Sequence, residues 1–413
     1  MRLKSLFLLL TTLSTAHISA GADFALQDGD TLVFLGDSIT AGHGYTKLVE
    51  EYTLLRFPDR HVRFFNAGQG GDTAAGGLQR LDRDVFSHGA TVLTVAFGVN
   101  DIGWGMKADE EHKQKYFGGI RGIIEACQKH HVRVFICSPA ITAENPDTAE
   151  NGFLQKMTDE GLAIAKSMGA QTIDIQRTMR SIQREITKAD KAETDPKKKT
   201  HLHVEDGVHL TDLGQLAMGY AILKGLGAPS DVSSVALDGK TGKLISARGC
   251  RVDDVHTSTN GVTFTRVDEG LPLNLGMLGA LNFRFIPIPN ELNRYLLTIQ
   301  NLPSGKYNIS VDGRTIGIAT DTQLATSLNI SSMTTNGWEP GGPWDAQAAV
   351  IKELTEARSK MEIASNLRVH FLTNHPQMTS LISQAQITET NLVCLQRQTA
   401  HPFPYHFEIR KAE

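Results

Sequence analysis

The feature that most constrains this chain is a regular alternation of short apolar segments with helical patterns between residues 31 and 226. Short apolar runs bounded by turn residues are typical of buried strands, and the longer periodic segments between them are typical of amphipathic helices. Strands that alternate with helices pair in parallel, because each connection crosses over one face of the sheet. The predicted strands are 31–35, 62–66, 91–96, 132–138 and 171–175, and the predicted helices are 46–57, 73–86, 110–129, 147–168, 176–189 and 210–225.

This pattern predicts a three-layer α/β/α domain over residues 23–229, with a parallel five-stranded sheet covered by helices on both faces. In an open parallel sheet, ligands bind at the carboxyl ends of the strands. Polar residues that directly follow a strand are therefore the first candidates for a functional site.

The texture of the chain changes after Pro229. Alternating segments separated by turn signals such as Asn260-Gly261 and Asp312-Gly313 predict a small antiparallel β module at residues 230–335. Residues 336–413 are predicted to form a loop rich in Trp, Gly and Pro, a helix and a tail that pack on the first domain. Trp338 and Trp344 in this loop either stack on sugar rings or pin the loop to the core.

The N-terminal 22 residues have the pattern of a signal peptide. Arg2 and Lys4 precede an apolar run at residues 6–13, and small residues follow at positions 20–22. We therefore expect an exported protein, periplasmic or extracellular. The net charge of −4 without a long basic block argues against nucleic acid as a partner, and no later segment is a convincing transmembrane span.

The chain has four widely spaced cysteines and no CxxC pair, which argues against a zinc knuckle. Cys127 and Cys137 lie in a predicted helix and a predicted strand, so we expect them to be buried thiols. Cys250 and Cys394 are the pair expected to form a disulfide if export allows one.

The first predicted strand ends in Gly36-Asp37-Ser38. This turn would leave the Ser38 hydroxyl at the carboxyl edge of the sheet. The alternative is that Asp-Ser simply caps the next helix.

Two further polar segments follow the second and third predicted strands. Residues 66–73 contain three glycines, whose free backbone N–H groups at a helix start suit an anion, although such loops are also plain turns. Gly98-Val99-Asn100-Asp101 places an amide at the end of the third strand. The Asn100 side chain either donates to a developing oxyanion or caps the next helix.

The segment Asp206-Gly207-Val208-His209 combines a carboxylate and an imidazole that could act together in catalysis. On one tight turn the carboxylate can accept from His209 Nδ1 while Nε2 faces outward as a general base, which is what a serine nucleophile needs. The competing interpretation is a metal site built from His201, His203, Asp206 and His209.

In this order, the four segments resemble those of the SGNH (GDSL-type) hydrolase family, and the resemblance covers residues 30–226. It implies a flavodoxin-like three-layer fold and ester hydrolysis through an acyl-enzyme, without a metal or an organic cofactor. Serine, acid and histidine have the same order in α/β-hydrolases, but their Gly-x-Ser-x-Gly elbow is missing here. The region after residue 230 is similar to the C-terminal part of some exported bacterial relatives.

The resemblance assigns roles to individual positions. Ser38 matches the nucleophile, His209 the base and Asp206 the acid that orients it. The oxyanion hole would consist of the N–H groups of Ser38 and Gly71 and the side chain of Asn100. Many relatives have Ser where this chain has Gly70, a change that we expect to leave the hole intact.

Four residues beside these positions, Asp37, His43, Tyr45 and Trp104, are predicted to line a substrate pocket, although Tyr45 and Trp104 would also serve as packing residues.

The sequence thus predicts an exported serine esterase that removes a small acyl group, such as acetyl, from a carbohydrate. The grounds are the export signal, the appended β module and the lack of a long apolar lid that would shelter a fatty chain. The alternatives are a lipase or thioesterase, an acyltransferase with the same triad, and a carbohydrate-binding protein with a vestigial hydrolase core.

Overall fold

The computed structural model describes residues 24–371 and 377–412, so the predicted signal peptide at residues 1–22 lies outside the described residues. The predicted five-stranded parallel sheet is confirmed, with the strand order β2-β1-β3-β4-β5. Its strands are β1 (Thr31–Gly36), β2 (Arg63–Gly68), β3 (Val92–Ala96), β4 (Arg133–Cys137) and β5 (Gln171–Ile173).

Eight helices surround this sheet within the described residues. They are α1 (Ser38–Ala41), α2 (Gly44–Arg56), α3 (Ala74–Gln79), α4 (Leu81–Asp84), α5 (Glu110–Lys129), α6 (Phe153–Ser167), α7 (Ile175–Ala189) and α8 (Asp212–Gly225).

Strand β1 lies between β2 and β3, and both pair with it. All its residues are buried, and alternate side chains point to opposite faces. Val33 and Leu35 join a core beneath α5 and α6, whereas Leu32 and Phe34 join a second core. The sheet is therefore covered on both sides, as the continuous apolar sequence of β1 requires.

The predicted helix at residues 73–86 is instead two short helices, α3 and α4, separated at Arg80. Arg80 has non-helical backbone angles, and its guanidinium donates to the carbonyls of Gly36 and Ala67 at the ends of β1 and β2. The break follows from these tertiary contacts, which helical periodicity alone does not report.

The C-terminal part contains two further sheets, with the strand orders β13-β10-β6-β7 and β12-β11-β14-β9-β8. Pairing is antiparallel as expected, except that β6 and β10 are parallel. The strands are β6 (Asp231–Asp238), β7 (Leu244–Arg248), β8 (Cys250–Ser258), β9 (Gly261–Asp268), β10 (Arg294–Gln300), β11 (Lys306–Val311), β12 (Arg314–Thr320), β13 (Leu328–Asn329) and β14 (Tyr405–Lys411).

Strand β14 comes from the segment that the sequence assigned to the tail, yet it lies in the middle of its sheet between β9 and β11. The tail segment is thus part of the β structure. The C-terminal helices are α9 (Gly276–Ala280), α10 (Ile288–Glu291), α11 (Asp321–Ala325), α12 (Pro343–Phe371) and α13 (Met378–Ala400).

The two parts of the molecule share one packed core. The core that contains Leu32 and Phe34 continues through Phe264 and Trp344 of the C-terminal part. Trp344 is fully buried, whereas Trp338 is 82% exposed, so the two tryptophans of the loop have opposite environments.

Helix α12 also packs on α2 through a buried ion pair. The guanidinium of Arg358 donates to both carboxylate oxygens of Glu50. A helix near the C-terminus is in this way anchored to α2 of the first domain.

The expected disulfide between Cys250 and Cys394 is not formed, since all four cysteines are free thiols. The Cys250 Sγ contacts the carbonyl of Ser234 at 3.4 Å, and the Sγ of Cys394 on α13 accepts from Gln398 at 3.6 Å. Cys127 and Cys137 are buried, as predicted. Among the described residues, we find no helix that combines the length and the apolar character needed to cross a bilayer.

Candidate active site

Ser38 is the first residue of α1, directly beyond the carboxyl end of β1. The N-cap of this helix is Asp37, whose Oδ1 accepts from the N–H of Ile39 at 2.9 Å. Because Asp37 performs the capping, the hydroxyl of Ser38 is free to interact with another group. The helix is therefore capped by Asp37, and the hydroxyl of Ser38 takes no part in the cap.

The structure brings His209 to Ser38 across 171 positions of sequence. His209 Nε2 lies 2.8 Å from Ser38 Oγ, and His209 Nδ1 lies 2.5 Å from Asp206 Oδ2. A carboxylate only accepts, so Nδ1 carries the proton and Nε2 is left as an acceptor for the serine hydroxyl. This arrangement can deprotonate Ser38.

Asp206 is held by its own turn as well as by His209. Its Oδ1 accepts from the N–H groups of Val208 at 2.8 Å and His209 at 2.9 Å. The hydrogen bond from His209, followed by these two amides, lowers the pKa of Asp206 to about 2. Asp206 is consequently a carboxylate at neutral pH.

His203 does not join these residues as a metal ligand would. Its ring is buried, and its Nε2 lies 2.8 Å from the carbonyl oxygen of Ile141. Within residues 24–371 and 377–412, no group of three or more His, Cys, Asp or Glu side chains has the arrangement needed to hold a metal ion.

The two loops predicted to supply oxyanion donors flank Ser38, because β1 lies between β2 and β3. Gly71 in the loop after β2 has φ +73°, a left-handed conformation that glycine adopts without strain. Asn100 follows β3, and its Nδ2 donates to the carbonyl of Asp72 at 3.1 Å. Its Oδ1 accepts from Trp104 Nε1 at 2.8 Å.

Of the four residues predicted to line a pocket, three face the interior. Asp37 and His43 are each 4% exposed and Tyr45 is 1% exposed. Tyr45 packs edge-on against Phe34, and its hydroxyl lies 2.8 Å from Thr40 Oγ1. These contacts explain the burial, since the turn after α1 folds back on the sheet.

Trp104 differs from the other three. Its indole is 47% exposed, and its ring meets that of His209 edge-on, with 5.7 Å between the ring centroids. Met106, two residues further along the same loop, is 87% exposed. The partly exposed indole of Trp104 therefore adjoins the imidazole.

Burial changes the protonation of groups around the nucleophile. Burial raises the pKa of Asp37 to about 6 and that of Asp101 to about 7, and it lowers the pKa of His43 to about 4. His43 is therefore neutral at neutral pH. Asp101 Oδ1 accepts from the N–H of Ala74 at 3.0 Å, whereas its Oδ2 is buried without a partner among the described residues.

Sequence reasoning missed Arg80. Besides the carbonyls of Gly36 and Ala67, its guanidinium binds Asp72 Oδ2 at 2.7 Å and Asp84 Oδ2 at 2.9 Å. One buried cation thus ties the strand that leads to Ser38 to the loop that contains Gly71. No sequence signal would have identified it, since two of its partners are backbone carbonyls 13 and 44 positions away.

Gln215 of α8 was missed as well. Its Oε1 accepts from the N–H of Tyr45 at 2.9 Å, and its Nε2 donates to the carbonyl of Ile39 at 3.3 Å. Because Gln215 lies six positions after His209, it links the helix that follows His209 to the turn that follows Ser38. A polar residue on the buried side of α8 is the one signal that would have drawn attention to it.

The C-terminal helix α12 reaches this region through Glu362. Its Oε1 accepts from the N–H of Asn66 at 2.9 Å, and Asn66 Nδ2 in turn donates to the carbonyl of Thr40 at 2.7 Å. Burial raises the pKa of Glu362 to about 7, against the lowering effect of Arg358. Asn66 of β2 is therefore hydrogen-bonded both to the turn that follows Ser38 and to the C-terminal part.

Residues 34–217 match the model of a family described as GDSL-like lipase/acylhydrolase. No curated protein matches the chain. A solved structure of a gut microbial diltiazem-metabolizing enzyme is similar to it, with a TM-score of 0.80, 22% identity, and coverage of 94% of this chain and 98% of that chain. At that identity the likeness shows the fold.

Two shorter structures align with part of the chain. One is an acetylxylan esterase from Geobacillus stearothermophilus, with a TM-score of 0.41, 19% identity, and coverage of 49% of this chain and 96% of that chain. The other is an alpha/beta hydrolase enzyme from the metagenome of Lake Arreo, with a TM-score of 0.41, 20% identity, and coverage of 49% and 98%.

Proposed function

We propose that the protein is a serine esterase that removes small acyl groups, acetyl above all, from a carbohydrate. Residues 34–217 form a domain of the GDSL-like lipase/acylhydrolase family, which makes the protein a carboxylic ester hydrolase. The observation that carries the serine mechanism is the 2.8 Å contact between Ser38 Oγ and His209 Nε2. On this proposal Ser38 is the nucleophile, His209 the general base and Asp206 the acid that orients it.

In the first half of the reaction, Ser38 Oγ attacks the ester carbonyl while His209 Nε2 takes the hydroxyl proton. Asp206 accepts from His209 Nδ1 and stabilises the imidazolium that forms. The negative charge on the former carbonyl oxygen is bound by the N–H groups of Ser38 and Gly71 and by Asn100 Nδ2. His209 then returns its proton to the departing alcohol, leaving an acyl-enzyme.

In the second half, water replaces the alcohol. His209 takes a proton from the water, the hydroxide attacks the acyl carbonyl, and the same donors bind the second oxyanion. Collapse of this intermediate gives the carboxylic acid and returns the proton to Ser38. Apart from the ester and water, these steps use groups of the chain itself.

Two features support a small acyl group and a sugar alcohol. The loop beside the nucleophile carries Gly70 and Gly71, which are exposed and present no side chain to bind a long acyl chain. The exposed indole of Trp104 beside His209 offers a flat apolar surface of the kind that packs on the face of a sugar ring. We further propose, from the N-terminal sequence alone, that the enzyme acts outside the cytoplasm.

Rates on a series of p-nitrophenyl esters from acetate to palmitate test this proposal. We expect the highest kcat/KM for acetate and loss of activity in Ser38→Ala. Ser87→Ala is the matched control, because Ser87 is an exposed serine whose hydroxyl donates to the carbonyl of Arg83. Equal rates for Ser38→Ala and the parent would exclude the serine mechanism, and a preference for palmitate would favour a lipase.

Release of acetate from acetylated polysaccharides tests the alcohol. We expect acetate from at least one neutral polysaccharide, and none from Ser38→Ala. Adding a second alcohol at high concentration separates a hydrolase from an acyltransferase, since a transferase would form the new ester faster than free acid. Ester formation in excess of acid would overturn hydrolysis as the main reaction.

A further inference from the structure

Trp104 has a backbone conformation that its side chain does not favour. Its φ of +57° and ψ of 32° lie in the left-handed region, which residues other than glycine, and bulky ones above all, seldom occupy. Such strain persists only where the surroundings hold it, and it concentrates at functional sites. Here the N–H of Trp104 donates to the carbonyl of Val99 at 3.0 Å, and the N–H of Gly103 donates to that of Asn100 at 2.9 Å.

Burial does not explain this conformation. An indole that is 47% exposed contributes less to a core than a buried one, and Met106 on the same loop is more exposed still. What the conformation achieves is local. It directs the indole N–H to Asn100 Oδ1 at 2.8 Å and the ring edge-on to His209.

The two hydrogen bonds of Asn100 fix which way round its amide sits. The indole Nε1–H is only a donor, so the Asn100 atom that faces it must be the oxygen. The carbonyl of Asp72 is only an acceptor, so the atom that faces it must be the nitrogen. One hydrogen of Nδ2 is bound to Asp72, which leaves the other for a substrate oxyanion.

We propose that Trp104 is a positioning residue of the oxyanion hole, which holds the Asn100 carboxamide with its N–H₂ group directed at the developing oxyanion. The inference rests on the proposed function, because it needs Asn100 to be an oxyanion donor. Without the indole N–H, Asn100 Oδ1 loses its partner, and the amide rotates or turns over for part of the time. In those states an oxygen lone pair faces the oxyanion.

An effect of this kind appears in the transition state alone. The oxyanion forms only after the nucleophile has attacked, so a misplaced amide lowers kcat and leaves KM unchanged. Removing a side chain that only contacts the substrate has the opposite effect on the kinetic constants: KM rises and kcat is unchanged. The kinetic constants therefore distinguish positioning from a simple pocket role.

The decisive variant is Trp104→Phe, which keeps an aromatic ring beside His209 but removes the N–H. For p-nitrophenyl acetate we expect kcat to fall about tenfold, less than the roughly 10²–10³-fold loss on removing an oxyanion donor outright, with KM within about twofold of the parent. Trp104→Ala should lose kcat to a similar extent. Met106→Ala is the control on the same loop, and its kcat should equal that of the parent.

A double-variant cycle with Asn100→Ala gives the second readout. If Trp104 acts through Asn100, Trp104→Phe should have no further effect on kcat once Asn100 is alanine. Thermal unfolding of each variant shows whether a loss of rate reflects a loss of fold. An unchanged fold with non-additive kcat losses would support positioning.

Three results would overturn the inference: parental kcat in Trp104→Phe, an unchanged kcat with a raised KM, or fully additive losses in the double variant. Ser38→Ala keeps this failure separate from failure of the proposed function. If Ser38→Ala is inactive while Trp104→Phe is unaffected, the esterase mechanism stands and the role of Trp104 falls. If Ser38→Ala retains parental activity, the mechanism itself falls.

Discussion

The two halves of this active site are built in different ways. The half that carries Ser38 is held from a distance, by Arg80 bonded to the carbonyls of Gly36 and Ala67 and by Gln215 bonded to the turn after the nucleophile. The half that carries His209 is one local turn in which Asp206 binds both the imidazole and its own backbone amides. The first half is largely buried, whereas the side chains of His209 and Asp206 are 36% and 33% exposed.

This difference separates stability from catalysis. A residue of the exposed turn makes few contacts that the fold needs, so its replacement should cost activity and little else. A residue of the buried half binds polar groups that would otherwise be buried without a hydrogen-bond partner. Its replacement should therefore lower the free energy of unfolding. A large loss of stability on replacing a residue of the turn, or a small one on replacing a residue of the buried network, would contradict this distinction.

The largest effect is expected for His209→Ala. Removing the base leaves Ser38 without an acceptor for its proton, and kcat should fall by at least about 10⁴-fold. Because the side chain is partly exposed, the midpoint of thermal unfolding should stay close to that of the parent. A variant that hydrolyses p-nitrophenyl acetate at a tenth of the parental rate would place the base elsewhere.

Arg80→Met should have the largest effect on stability. It leaves the carboxylates of Asp72 and Asp84 without their buried partner, and loss of one member of a buried ion pair costs about 3–5 kcal/mol. Urea denaturation measures this loss. Arg83→Met is the matched control, since Arg83 also pairs with Asp84 but is 62% exposed, and its replacement should cost under about 1 kcal/mol. Similar losses in both variants would contradict the assigned role of Arg80.

The smallest effect concerns pH. Burial raises the pKa of Asp101 from its ordinary value of 3.8 to about 7. Between pH 4 and 7 the folded state therefore holds a proton that the unfolded state has released, so the free energy of unfolding falls as pH rises across this window. In Asp101→Asn this contribution is missing.

Urea denaturation at several pH values measures the contribution of Asp101. The decline between about pH 4 and pH 7 should be roughly 3 kcal/mol smaller in Asp101→Asn than in the parent. Taking the difference cancels other buried carboxylates, such as Glu362. Parallel curves for the two proteins would show that Asp101 is ionised in the folded state at acidic pH.

The sequence predicts the part of this molecule that local physics determines. The apolar runs gave the five strands, and the polar residues after β1 and β3, together with the turn at Asp206, proved to lie together at one edge of the sheet. Residues 34–217 match the model of the GDSL-like lipase/acylhydrolase family, in agreement with the family that these segments resemble. Each of these features needs only a few consecutive residues to specify it.

What the sequence did not predict depends on contacts between distant segments. Arg80 interrupts a helical pattern, and two of its partners are backbone carbonyls, which have no sequence signature. Tyr45 and His43 are close to Ser38 in the chain but buried, because the turn after α1 folds inward. The pairing of β14 between β9 and β11 brings the end of the chain into a sheet, and local periodicity gives no information on partners so far apart.

The proposed serine mechanism requires that Ser38 becomes acylated during turnover. The direct measurement is to stop the hydrolysis of p-nitrophenyl acetate with acid and map the modified peptide by mass spectrometry. We expect one acetyl group on the peptide that contains Ser38, and none in Ser38→Ala. An acetyl group on a different residue, or undiminished hydrolysis by Ser38→Ala, would contradict it.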